Sequence, residues 1–91
     1  MDNLIKHDVK THRFNTVVDD VTGYVEYDLA GDVMIVTHTI VPSEIGGRGI
    51  AGALVKAALE HARAEGWKVV PQCSYADAWM RKNPDYEGLR A

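Results

Sequence analysis

The 91-residue sequence holds one cysteine, Cys73, too few for an internal disulfide. A secreted domain of this size normally needs several, so a reducing, cytoplasmic setting is expected. No apolar run approaches the roughly 20 residues that cross a bilayer, and Met1-Asp2-Asn3-Leu4 lacks the basic start and apolar core of a leader. These two absences predict a chain without a membrane role. Lys and Arg number ten against thirteen Asp and Glu, a net charge of −3, which leaves no basic surplus for general nucleic-acid binding. His7, His12 and His61 have no cysteine or carboxylate partners at metal-ligand spacing, so no metal is expected. Repeats and linker-like stretches are also missing, and at this length the chain supports one core, predicting a single domain over residues 1–91.

What is present is ordinary globular usage, 46% apolar and 25% charged. Charge is unevenly placed, with a net −4 over residues 1–32 and +1 over residues 33–91. The second part suits an anionic ligand better, although short chains also scatter charge by chance.

The first half reads as strands. Residues 12–18 are rich in Thr, Val and Phe, and Asp19-Asp20 supplies turn chemistry. Residues 24–29 alternate, with Val25, Tyr27 and Leu29 on one face. After the turn signal Ala30-Gly31-Asp32, residues 33–41 place β-branched side chains on both faces, predicting a central strand covered on both sides. Pro42 ends it because it lacks a backbone donor. A helix follows over residues 49–65 with Ala51, Leu54, Val55, Ala58 and Ala62 as its buried stripe and Leu59 beside it. Gly66 stands at the expected left-handed cap. Residues 67–73 form a short strand that Pro71 places at an edge or near its end, and residues 75–82 a short amphipathic helix stopped by Asn83-Pro84. This order predicts an α/β chain with a mixed sheet: antiparallel hairpin strands, then a right-handed βαβ crossover and a short C-terminal helix.

The loop Ser43-Glu44-Ile45-Gly46-Gly47-Arg48-Gly49 enters the crossover helix, whose first amides have no internal partner. Without a Cβ, phosphate oxygens approach the backbone closely, the helix dipole adds positive potential, and Arg48 can add a full charge. Three glycines, an arginine and a helix start exceed what a tight turn requires, so an anion site is expected. Gly47-Arg48-Gly49-Ile50-Ala51-Gly52 also fits G-x-G-x-x-G. The hairpins before it and Gln72-Cys73 at the position of the ribose-binding acid argue against a dinucleotide fold. No Gly-Lys-Ser/Thr follows, which excludes a Walker A loop.

The segment Val41-Pro42-Ser43-Glu44-Ile45-Gly46-Gly47-Arg48-Gly49-Ile50-Ala51-Gly52-Ala53-Leu54 resembles motif A of the GNAT superfamily of acetyl-coenzyme A-dependent N-acetyltransferases, Arg/Gln-x-x-Gly-x-Gly/Ala. Gly49 and Ala51 match its last two fixed positions. His38-Thr39-Ile40-Val41-Pro42, Cys73-Ser74-Tyr75 and Asn83-Pro84-Asp85-Tyr86 are similar to a very short, stand-alone subgroup, so the resemblance covers residues 12–89. It implies a sheet with a splayed strand pair, coenzyme A in the splay, its pyrophosphate on the amides of residues 46–52, and acetyl-CoA as cosubstrate. Two positions depart from the pattern. Gly46 replaces the Arg/Gln, and Ile40 stands where relatives of the subgroup commonly carry glutamate, which excludes a carboxylate base there.

Acetyl transfer needs a neutral amine, donors for the developing oxyanion and a proton for the departing thiolate. The resemblance implies that backbone amides near Ile40 and Val41 hold the thioester carbonyl. Cys73 is the candidate nucleophile or proton donor, a role the resemblance also implies, against its alternative as a small buried hydrophobe. His38 is a candidate base or else an interior histidine with one hydrogen bond. Tyr75 is a second candidate proton donor, and Trp79 reads as core or ligand wall. The expected activity is transfer of an acetyl group to an amine on a small molecule or protein. The alternative is a non-catalytic acyl-CoA binding or sensing module. So little chain remains for an acceptor pocket that a protein terminus or an open groove fits best, on a monomer or weak homodimer.

Overall fold

The computed structural model describes residues 4–91. Residues 1–3, on which the leader argument rests, lie outside them. Strands β1 (Lys6–Asp8), β2 (Arg13–Val18), β3 (Val21–Ala30) and β4 (Val33–Ile40) precede helix α1 (Ile50–Glu65), strand β5 (Lys68–Pro71) and helix α2 (Ser74–Lys82). Short 3-10 segments cover Ser43–Ile45 and Pro84–Leu89. The strands form one sheet in chain order, antiparallel through β4 and parallel between β4 and β5. That is the expected mixed α/β sheet with its crossover through α1.

Turn chemistry sets the hairpins. Asp19 and Asp20 both take positive φ, 52° and 63°, between the paired residues Val18 and Val21. Such a two-residue turn matches the natural twist of the strands it joins. Alternation then decides what is buried. Phe14 and Thr16 on β2, Val25 and Tyr27 on β3, and Met34 and Val36 on β4 face Ile50, Leu54, Val55, Ala58, Leu59 and Ala62 of α1. Each large aliphatic side chain withdrawn from water here contributes about 1.5–3 kcal/mol. Gly66 closes α1 at φ 75°, and the amides of Gly66 and Trp67 return to the carbonyls of Arg63 and Ala62.

Four expectations need correction. A three-residue strand, β1, precedes the first one read from sequence, and His12 sits at φ 56° in the connection rather than in β2. β4 is covered on one face only: Met34 and Val36 are fully buried, whereas Val33 and Ile35 remain half-buried, because both helices pack on the same side. Ala51 is half-buried and Ile50 takes its place in the stripe. Leu29 is 38% exposed although it shares a face with Val25 and Tyr27, since β3 outruns its helical cover.

Three imidazoles gather where β1 meets α1. His7 stacks on Phe14 at 4.0 Å, its Nε2 lies 2.5 Å from the Tyr27 hydroxyl, and His61 meets its edge at 4.5 Å. His12 stacks on the Tyr27 ring at 4.9 Å. Burial holds the His7 imidazole below its usual 6.5, His61 and His12 push it further the same way, and Asp8 opposes them. The unfolded chain therefore binds more protons than the folded one below about pH 6.5. Stability is complete above that value and is lost as pH falls through it toward the lowered one. We expect the melting temperature to hold steady above pH 7 and drop on acidification through 6.5, and the slope to flatten in His7→Phe. A slope unchanged by that substitution would assign the acid sensitivity elsewhere.

The chain's end locks the layers. The Tyr86 hydroxyl lies 2.5 Å from Glu60 Oε2 of α1, the Arg63 guanidinium sits 4.6 Å above the Tyr86 ring, and Val69 of β5 bridges to Arg90 along the sheet edge. No described helix is long and apolar enough to cross a membrane.

Candidate active site

The parallel pairing of β4 with β5 stops at Val36 opposite Pro71. Two local causes operate. Pro71 has no N–H to extend the ladder, and the Gln72 amide turns back to the Val70 carbonyl at 3.0 Å, taking the chain out of the sheet. On the other side Thr37 is an extra residue between Val36 and His38, opposite Tyr27 and Glu26, a bulge that bends β4. Beyond it β4 runs on to Ile40 beside β3 alone, so a splay opens between β4 and β5.

Cys73 closes the mouth of that splay. Its amide donates to the Val36 carbonyl at 2.9 Å, its carbonyl accepts from Asp77 as the N-cap of α2, and its Sγ lies 3.4 Å from Thr39 Oγ1. The residue is half-buried. Burial pushes the thiol up and is the largest single influence. The Thr39 hydroxyl and the amides of Ala76, Tyr75 and Thr39 together outweigh it and hold the thiol below its usual 9.0. Thr39→Val should therefore move the pH midpoint for alkylation of Cys73 upward, with little change in melting temperature. A midpoint that stays put would remove the hydroxyl from this account.

Successive amides of a strand point to opposite edges. The Thr39 amide reaches Cys73, whereas that of Ile40 faces β3, where Ile40 pairs with Tyr24; Val41, one residue past the end of β4, lines the adjoining cleft. Of the two residues whose amides are expected to hold a carbonyl, Ile40 pairs with β3 and Val41 lines the cleft. His38 pairs with Glu26 on the open face, opposite to Thr39 and Cys73, and is exposed. It is not an interior histidine, and the strand does not bring it to the sulfur.

The glycine loop forms a cleft of about 300 Å³ beside the splay. It is lined by Ile45, Gly46, Gly47 and Gly49 of the loop, Ile50 and Ala51 of α1, and Val41 and Tyr75. Gly47 and Gly49 stand at φ 73° and 76°, conformations that only glycine adopts without strain, and a Cβ on either would project into open space. The first helical hydrogen bond runs from the Ala53 amide to the Gly49 carbonyl. The amides of Gly47, Gly49, Ile50, Ala51 and Gly52 have no partner among the described residues, and no side chain caps the helix.

Three expected contributors sit differently. The Gly46 amide is already donated to the Ser43 carbonyl at 3.1 Å, so it is not a free donor. Arg48 pairs with Asp19 at 2.7 Å and does not line the cleft. Gly52 lets α1 meet α2, since a Cβ there would lie 3.3 Å from Trp79 Nε1 and 3.4 Å from the Tyr75 hydroxyl. Trp79 is half-buried against Tyr86 as well, which makes it packing. Thr39 and Ile45 were not singled out in the sequence. Ile45, fully buried in a polar loop, had a signal as the loop's one large apolar residue. A second depression, of about 290 Å³, lies at the β1–β2 edge and offers Lys6 as its one ionisable group. Among the described residues no three His, Cys, Asp or Glu side chains are grouped to hold a metal ion.

Residues 13–89 match the GCN5-related N-acetyl-transferase family. The chain belongs to that family. It is an N-acetyltransferase by that membership. It is similar to Protein NATD1 of Gallus gallus, 31% identical over 83 residues that cover 88% of this chain and 76% of that protein. It is also similar to the NMR structure of a GCN5-like candidate N-acetyltransferase from Staphylococcus aureus. The TM-score is 0.77 and the identity 27%, over 97% of this chain and 87% of that one.

Proposed function

We propose that the chain transfers an acetyl group from acetyl-CoA to an amine, with the loop at residues 46–51 holding the diphosphate. The observation that carries this reading is the set of unpartnered amides from Gly47 to Ala51 around a cleft that continues toward the splay. Backbone N–H groups converging at a helix start stabilise an anion without a lysine or metal. Acetyl-CoA supplies the activated acetyl thioester. The amides of Gly47, Gly49, Ile50 and Ala51 bind its diphosphate, and the Val41 amide donates to the thioester oxygen.

Cys73 is the nucleophile in this reading, because its thiol is held below its usual value and thiolate is the attacking species. A bond forms from Sγ to the acetyl carbon as the donor's carbon–sulfur bond breaks. Tyr75, whose hydroxyl reaches the start of α1, gives the departing sulfur its proton. A neutral amine then takes the acetyl group, restores the Cys73 thiolate and gives up the proton that returns Tyr75 to its phenol. His38 faces the open side of the sheet, away from Cys73, and takes no part in this step.

Titration calorimetry with CoA and acetyl-CoA tests the binding half of the reading, and an adduct of about 42 Da on Cys73, discharged by added amine, tests the transfer. Micromolar binding with transfer is expected. Absence of heat with either ligand at millimolar concentration would end the proposal, and binding without transfer would leave an acyl-CoA sensor.

A further inference from the structure

The loop that faces the cleft carries one cation, Arg48, and it is committed elsewhere. Its Nη1 donates to Asp19 Oδ2 at 2.7 Å and its Nη2 reaches the Glu44 carbonyl at 3.5 Å. Asp19 belongs to the β2–β3 turn, where β2 ends and the chain doubles back at positive φ. Its turn places a carboxylate against the loop from the far end of a hairpin, and the guanidinium is drawn to it rather than to the cleft. Both partners are open to water, with side chains 47% and 70% exposed, so the pair is weak and readily exchanged. Phosphate binds a guanidinium in the same forked geometry as a carboxylate, and with more charge.

We propose that Asp19 is a positioning residue that holds Arg48 in reserve beside the loop, and that Arg48 exchanges the Asp19 carboxylate for a phosphate group of the bound ligand. This rests on the loop being the diphosphate site. Each anion competes for one cation, so Asp19 lowers the affinity of any phosphate ligand and does so most for the one that gains most from Arg48. Discrimination by phosphate charge is then damped by a residue outside the cleft.

A double-mutant cycle measured by calorimetry at low ionic strength, with CoA and 3′-dephospho-CoA as probes, decides it. Asp19→Asn keeps a side chain that tolerates left-handed backbone, and Asp19→Gly provides a second variant that relieves the turn. Either should tighten CoA binding by roughly two- to fivefold. Arg48→Ala should weaken it by a similar factor, and in that background the Asp19 substitutions should do nothing. Added salt should erase the Asp19 effect, and the gap between CoA and 3′-dephospho-CoA should widen when Asp19 is neutral. An Asp19 effect of equal size with and without Arg48 is general electrostatics and overturns the exchange, as does no effect in either background. If the unsubstituted chain binds neither probe, the diphosphate reading falls and takes this with it. If it binds and the cycle shows no coupling, only the exchange falls.

Discussion

Replacing Ala51 with glutamate should weaken CoA binding by about a hundredfold while leaving the melting temperature unchanged or slightly raised. Ala51 lines the cleft in the first turn of α1, half-buried, next to amides that have no partner. A carboxylate there faces the positive end of the helix, which is favourable by about 0.3–1 kcal/mol, so the fold does not suffer. A diphosphate seated on those amides would meet it at roughly 5 Å. Like charges at that distance, at an effective dielectric near 20, repel by about 3 kcal/mol, or somewhat over a hundredfold in affinity. The carboxylate also occupies donors that the ligand needs. Ala51→Gln separates the causes, because it fills the same space without the charge and should lose only a fraction of the affinity. A glutamate variant that binds CoA as the unsubstituted chain does would place the diphosphate somewhere other than this helix start. Stability and affinity move apart here, which simple misfolding cannot imitate.

The parts of this arrangement that could be read in the sequence are those set by neighbours along the chain. The spacing of Leu54, Val55, Ala58 and Ala62, closed by Gly66, marks a helix whatever it packs against, and the observed α1 ends on that glycine at φ 75°. Glycines at 47 and 49 announce a backbone approached closely, and both adopt conformations that side chains avoid. What could not be read depends on partners distant in sequence. The bulge at Thr37 leaves the run from Val33 to Ile40 looking like one uninterrupted strand, yet it turns Thr39 toward Cys73 and His38 away from it. Nothing local marks Arg48 as paired with Asp19 across 29 residues. β1 is too short to show alternation, and its place is fixed by His7 packing against Phe14 and Tyr27. Whether one or both faces of β4 are covered depends on where α2 lands, and an evenly apolar strand does not record that.

Cys73→Ala should lower acetyl transfer by about a hundredfold or more while changing the Kd for CoA less than twofold. The sulfur sits across the splay from Thr39 and does not line the diphosphate cleft, so binding and chemistry are separable in space. Cys73→Ser carries the argument further. A serine hydroxyl keeps the Thr39 contact and the α2 cap, since the cap uses the backbone carbonyl, but its proton is held too tightly to leave near neutral pH. If Cys73 is the nucleophile, the serine variant is as slow as the alanine one and forms no adduct. If Cys73 only donates a proton to the departing sulfur, the hydroxyl preserves part of the rate. The pH dependence separates the same two roles: attack by thiolate makes the rate rise with pH to a midpoint below 9.0, the usual value of the thiol, whereas a proton donor makes it fall over that range. Thr39→Val should then shift the rising limb of the transfer profile to higher pH by the same amount as it shifts alkylation, since both report one thiolate population. Undiminished transfer in Cys73→Ala would leave direct attack by the amine as the route and reduce Cys73 to the cap of α2.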